Sequence, residues 1–259
     1  METSRLAGLK PAELRAVIRR GEWTRRIHGL ALGYTMANLA VLPAEYAYDF
    51  LLFCQRNPKP CPVLEVTDTG SPEPRQFAPG ADLRTDLPRY RVFEHGRLVD
   101  EPTDVTKYWR SDLVAFLLGC NLTCAGAMER ANVPMTKSVL YVSNIACRPA
   151  GRFSGPMVVS MRRIPQEKVV RAIQVTSRFP NTHGVPVNVG DPAAIGIHDL
   201  SRPYFGEAPQ FEPGEVPVFW ACGVTPQTVA LEAKVPFMIT HAPGHMFVTD
   251  ACDEETAAL

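Results

Sequence analysis

Apolar and polar residues follow two rhythms along this chain, and the rhythm changes at prolines and glycines. Leu14, Val17 and Ile18 recur at helical spacing between Pro11 and Gly21, so a helix opens at Pro11 and stops at Gly21. Pro43 opens a second helix, in which Tyr46, Phe50 and Phe53 share a face. "CPVLEVTD" from Cys61 reads as a buried strand, and "SPEPRQFAPGAD" from Ser71 as a proline-rich loop. "YRVFEHGRLVDE" from Tyr90 alternates on either side of His95-Gly96, which predicts a β-hairpin. "SDLVAFLLG" from Ser111 is apolar without a break, and is expected to be a short buried helix capped by Ser111.

The second half alternates more regularly. "PMVVSMR" from Pro156 is a β-branched strand, and Pro165 opens a helix with Val169, Val170 and Ile173 on one face. "VPVNVG" from Val185 and "VPVFWACG" from Val216 are the next strands. Pro226 opens "PQTVALEAK", and "PFMITH" from Pro236 is a further strand. Strand, helix and strand at these spacings predict an α/β fold, a mostly parallel sheet flanked by helices, with a smaller α+β lobe. Residues 1–259 form a single functional unit with approximate lobes 1–150 and 151–259.

Composition narrows the function classes. With 46% hydrophobic and 21% charged residues the chain has the makeup of a globular protein with a sizeable core. Lys+Arg and Asp+Glu balance at 27 each, so no basic field invites nucleic acid. No apolar run approaches the roughly 18 residues of a membrane span, and "METSRLAGLK" has no apolar signal core, so a cytoplasmic protein is expected. Seven cysteines, none in a CxxC pair and most beside apolar residues, read as buried free thiols. The 24 prolines punctuate elements instead of forming a disordered tract.

In parallel α/β sheets, ligands bind beyond the C-terminal ends of strands. Ser160 and Arg162 lie at one predicted end. Gly223, Thr225 and Pro226 lie at a second, where a helix start offers free N–H groups to an anion. His241 and His245 flank Pro243-Gly244 at a third. Arg178 and His183 sit in a polar connection, and Arg56 and Asn57 directly follow the second helix. Each has a plainer explanation: helix capping for Thr225, a strand hydroxyl for Ser160, a turn for His183, a helix C-terminal cation for Arg56. The HxxxH spacing resembles a metal pair, but Pro243-Gly244 breaks a helix and no third ligand is marked. No metal residue is therefore assigned, and a divalent ion stays an open alternative.

Six stretches occur in order over nearly the whole chain: "FLLFCQRNPKPCPVLEVTDTG", "PGADLRTDLPRYRVFEHG", "SGPMVVSMR", "TSRFPNTHGVPVNVGDP", "GEVPVFWACGVTPQ" and "ITHAPGHMFVTD". Together they resemble the hydro-lyase family of D-glutamate cyclase. The resemblance implies an α/β fold with a smaller α+β part, and closure of D-glutamate to 5-oxo-D-proline with loss of water, without a nucleotide or organic cofactor. The chain departs from that pattern at Leu32, Met36, the Asn121–Ala125 stretch and Asn188. It also runs straight through "ANVPMTKSVLYVSN", where the family carries a His-Ile-Glu segment.

Ring closure holds an amine against a carboxyl of the same molecule, where a large effective concentration favours attack. The site must anchor a carboxylate, stabilise an oxyanion and move protons. Arg178 or Arg162 suits the anchor, and the Gly223–Thr225 amides suit the oxyanion. His241 or His245 suits acid–base work, and Cys222 is a possible nucleophile. Elimination of a β-hydroxyl from a small amino or hydroxy acid needs the same parts. The expected function is a hydro-lyase on such an acid, D-glutamate cyclase-like with its substrate changed. The alternative is a non-catalytic carboxylate-binding protein that keeps the pocket. The expected partners are a small carboxylate and further copies of the chain, with neither nucleic acid nor membrane.

Overall fold

The computed structural model describes residues 5–258. Helix α1 (Pro11–Arg19) is followed by β1 (Tyr34–Pro43), α2 (Ala44–Arg56), β2 (Val63–Val66), β3 (Tyr90–Glu94), β4 (Arg97–Asp100) and β5 (Leu113–Gly119). The chain continues through α3 (Ala125–Arg130), β6 (Val139–Ala146), β7 (Pro156–Pro165), α4 (Val169–Ser177) and β8 (Asn188–Val189). It ends with β9 (Glu215–Ala221), α5 (Val224–Glu232), β10 (Phe237–His241) and β11 (Phe247–Cys252).

These strands build two sheets. The first runs β2-β5-β1-β10-β3-β4 with β11 added on β1, and the second runs β6-β7-β9-β8. Every pairing in both is antiparallel. The expected mostly parallel α/β sheet is therefore wrong. Strand–helix–strand alternation implies a parallel pair only when both strands stay neighbours in one sheet. Here α5 carries the chain from β9 in the second sheet to β10 in the first, so the alternation crosses between sheets. The first sheet accordingly draws strands from both halves of the sequence.

The segment from Ser111 is also corrected: Leu113–Gly119 is a strand, not a helix. Its unbroken apolar run has a simple cause. Val114, Phe116 and Leu118 face the core between the two sheets, while Leu113, Ala115 and Leu117 face a second core on the outer side. A strand buried on both faces needs no polar alternation. The hairpin at residues 90–101 forms as expected. His95 (φ 48°) and Gly96 (φ 79°) both take the left-handed conformation that its two-residue turn requires.

Helix α2 lies against the inter-sheet core through Phe50, whose ring meets Phe116 and Phe153 edge-on at 4.9 and 5.3 Å. Helices α3 and α4 cover the opposite face of the second sheet, packing Met128, Ala172 and Val175 against Ile164, Val218 and Trp220. On that covered face β7 places Ser160 and Arg162, two residues apart and so on one side of the strand. Helix α5 begins at Val224 with Gly223 as its cap, two residues before Pro226. None of the helices formed by the described residues is long and apolar enough to cross a membrane.

Candidate functional site

A small, partly open cavity lies between the covered face of the second sheet and helices α3 and α4. Arg162 and Trp220, on the sheet, form its floor, and Asn121, Cys124, Met128, Met135, Thr176, Thr182 and Gly184 complete its lining. Arg162 is 4% exposed. One guanidinium nitrogen donates to the carbonyl of Thr136, while Nη2 is buried with no hydrogen-bond partner. Among the described residues no carboxylate pairs with it. Its electrostatic neighbours are instead the neutral thiols of Cys120, Cys124 and Cys222. Burial pulls the guanidinium pKa down. A buried cation without an anion is costly, by several kcal/mol, so this arrangement suits an incoming anion.

The cavity's polar wall is prepared by neighbouring bonds. Asn121 Nδ2 donates to Ser160 Oγ at 2.6 Å, leaving Asn121 Oδ1 without a hydrogen bond among the described residues. Thr176 Oγ1 donates to Ala172 at 2.8 Å and accepts from Trp220 Nε1 at 3.3 Å. Thr182 Oγ1 donates to Phe179 at 3.2 Å.

His183 sits one residue from that wall, buried and left-handed at φ 81°. Its Nδ1 bonds the Lys59 carbonyl at 2.9 Å and its Nε2 has no partner. Burial first, then the Lys59 charge, lower its pKa to about 4, so the ring is neutral. Lys59 Nζ is spent on the carbonyls of His183 and Val185 at 2.9 and 2.6 Å.

The other expected residues are placed differently. Arg178 is exposed and holds Glu254 at 2.6 Å across the outer surface of α4. Arg56 donates to Pro149, and Asn57 bonds Phe53 and Arg148, so the pair ties the end of α2 to a neighbouring segment. The Thr225 hydroxyl accepts from the Val158 N–H at 3.0 Å and lies 2.8 Å from the Cys222 carbonyl. Gly223 packs on Asn38: a Cβ built on it would stand 2.0 Å from Asn38 Nδ2, which donates to Gly119 at 2.9 Å. Burial pushes the Cys222 thiol up to about 12, leaving it protonated.

His241 Nδ1 accepts from the Leu39 N–H and lies 2.9 Å from Gln227 Nε2. Burial lowers its pKa to about 4. His241 lines no part of the Arg162 cavity. The expected meeting of Arg178, Thr225 and His241 around one ligand does not occur. His245 is half-buried, with Nδ1 3.0 Å from the Pro243 carbonyl. Among the described residues no group of three or more His, Cys, Asp or Glu is arranged to hold a metal ion.

Three residues in the cavity lining or in electrostatic reach of it carry no motif. Asn121 is marked in the sequence only by its departure from the family pattern. His28, partly in solvent, is lowered by burial first and then by the charges of Arg162, Arg26 and His245. Asp253 is buried, its Oδ2 accepts no hydrogen bond but lies 4.0 Å from Arg130 Nη2, and burial raises its pKa. Its charge reaches Cys124 on the cavity wall.

Comparison with known proteins agrees with the sequence resemblance. The family model for D-glutamate cyclase matches residues 114–250, a span that contains Asn121, Ser160, Arg162 and Trp220. A relative from Stutzerimonas stutzeri, described as a "Putative hydro-lyase", is 57% identical over 257 residues, covering 97% of each chain. Relatives with the same description from Geobacillus kaustophilus and Thermoanaerobacter sp. are 56% and 59% identical, covering 98% and 96% of each chain. On these matches the chain belongs to the D-glutamate cyclase family of hydro-lyases.

Proposed function

We propose that the protein removes water from a small amino or hydroxy acid whose carboxylate rests on Arg162. The observation that carries this reading is the buried guanidinium with an unpaired Nη2 facing no carboxylate of its own. An acid's two oxygens match the fork of an arginine and supply the missing charge. Asn121 Oδ1 then accepts from the substrate's amine or hydroxyl. His28, within electrostatic reach of Arg162 and open to solvent, is the proton carrier, and its lowered pKa favours the free base at neutral pH. Ring closure of D-glutamate to its lactam is one reaction of this class. Loss of a hydroxyl from a hydroxy acid is another, and both use the same anchor.

The test is incubation of the full chain with D- and L-glutamate and with a panel of 2- and 3-hydroxy acids and β-hydroxy amino acids. Mass spectrometry then follows loss of water. Turnover of at least one acid, lost in Arg162→Gln, is the expected result. Turnover that survives Arg162→Gln rejects the anchor.

A second reading, a carboxylate-binding protein without catalysis, is favoured by one set of observations. His183 and His241 are held neutral, and Cys222 is held protonated. Binding of an acid with no turnover across the panel selects it.

A further inference from the structure

We infer that Arg26 and Arg89, with His28 and His245 beside them, form a second anion subsite, which takes the distal carboxylate of a dicarboxylic substrate anchored on Arg162. This rests on the reading of Arg162 as the carboxylate anchor. Backbone bonds bring the four groups together from three parts of the chain. The Ile27 N–H donates to the Gly244 carbonyl at 3.0 Å, and the Ala242 N–H donates to the Arg89 carbonyl at 2.9 Å. The turn between them closes with the His245 N–H on the Ala242 carbonyl at 2.9 Å. Gly244 takes φ 84°, and the Arg26 side chain lies across it: a Cβ built there would stand 2.9 Å from Arg26 Cγ.

The charges in this cluster are of one sign. After burial, Arg89 and Arg26 lower the pKa of His245, and Arg162, Arg26 and His245 lower that of His28. His28 therefore lies in the field of the anchor and of the cluster together, so both act on one region of space. Among the described residues no carboxylate forms an ion pair with Arg26 or Arg89. Other arginines nearby in sequence are committed: Arg15 holds Asp250 at 2.9 Å, Arg84 holds Asp82 at 2.7 Å and Arg91 holds Glu101 at 2.8 Å. Arg26 and His28 are exposed, and Arg89 and His245 are half-buried, so a solute can reach the cluster. Like charges held together without a counter-charge repel one another, and an incoming carboxylate offsets that repulsion. The cavity beside Arg162 is small, so it admits one carboxylate and leaves the rest of the acid outside. Two cationic places, one enclosed and one open, fit an acid with a carboxylate at each end.

Calorimetric titration of the full chain tests the subsite, with glutamate and norvaline as probes in both hands. Norvaline replaces the distal carboxylate of glutamate by a methyl, so the comparison isolates the second charge. Glutamate of one hand is expected to bind at least tenfold tighter than norvaline of the same hand. Arg26→Gln combined with Arg89→Gln is expected to erase that difference, weakening glutamate and leaving norvaline unchanged. Arg26→Gln alone, at an exposed side chain, should weaken glutamate severalfold without moving the thermal unfolding midpoint, and so keeps the test open if the double variant fails to fold. Equal affinities in the wild-type chain overturn the inference, as does failure of glutamate to bind at millimolar concentration, or an equal loss for both acids in the variants. If Arg162→Gln abolishes glutamate binding and the double variant leaves it unchanged, the subsite fails while the anchor stands. If Arg162→Gln leaves every affinity unchanged, the anchor itself fails and the inference with it.

Discussion

The backbone N–H of Leu39 donates to His241 Nδ1 at 3.1 Å, across 202 residues of sequence. Gln227 Nε2 donates to the same nitrogen at 2.9 Å. With two donors aimed at it, Nδ1 is the unprotonated nitrogen, and the ring hydrogen sits on Nε2. His241 is thus a neutral ring that joins β1, β10 and α5. His241→Ala strands the Leu39 N–H, and a buried donor without a partner costs about 1–3 kcal/mol. Chemical denaturation is expected to record that loss, with acid affinity at Arg162 retained. Lost affinity at unchanged stability would place the imidazole in the binding site.

The two arginines named as anchors separate cleanly. Arg178→Lys changes an exposed pair with Glu254, and such pairs contribute about 0–1 kcal/mol, so neither stability nor ligand affinity should move much. Arg162→Lys removes the planar fork from a buried position. Hydrogen bonds to charged groups contribute about 1.5–3 kcal/mol, so affinity for the bound acid should fall roughly 10- to 100-fold. Parallel titrations of the two variants check this, and equal effects would remove Arg162 from its assigned place.

Stability should fall on mild acidification. His183 and His241 have folded pKa values of about 4, against an ordinary 6.5 in the unfolded chain. Between those limits the unfolded state binds more protons, so stability rises with pH and is lost as pH falls. At pH 5 each histidine accounts for about 2 kcal/mol of that loss, which thermal unfolding between pH 7 and pH 5 can read. His183→Gln should flatten the slope by about half of the two-histidine contribution. An unchanged slope would mean that His183 titrates alike in both states.

Gly223→Ala drives a methyl into Asn38 Nδ2 and disturbs its bond to Gly119. Overpacking of this kind costs about 1–3 kcal/mol. Asn38→Ala removes the obstacle, so the double variant should lose less stability than the two single variants summed. Denaturation of the four proteins in the cycle measures the coupling, and simple additivity would show that the two side chains do not compete for space.

Local signals were legible in the sequence where local physics decides the outcome. Pro11, Pro43 and His95-Gly96 mark their helices and hairpin correctly, because proline and positive-φ turns act within a few residues. Sheet direction was not legible. It depends on which sheet receives the strand after α5, and nothing near Pro226 encodes that destination. Strands β1, β6 and β11 carried no recognised signal. In β1, nine of ten positions are buried, so the alternation that betrays a half-exposed strand is missing. At the candidate site, Arg162 stands out as a charge inside an apolar strand. Arg178 looked equivalent only because its partner, Glu254, lies 76 residues away.

The floor of the Arg162 cavity belongs to one sheet, while Asn121 belongs to the connection leaving β5 of the other. An acid lodged there acts as a rivet between parts that the chain joins only at a distance. Occupancy should therefore quiet the relative motion of the two sheets and slow amide hydrogen exchange in β5 and β7 together, well beyond the atoms the ligand touches.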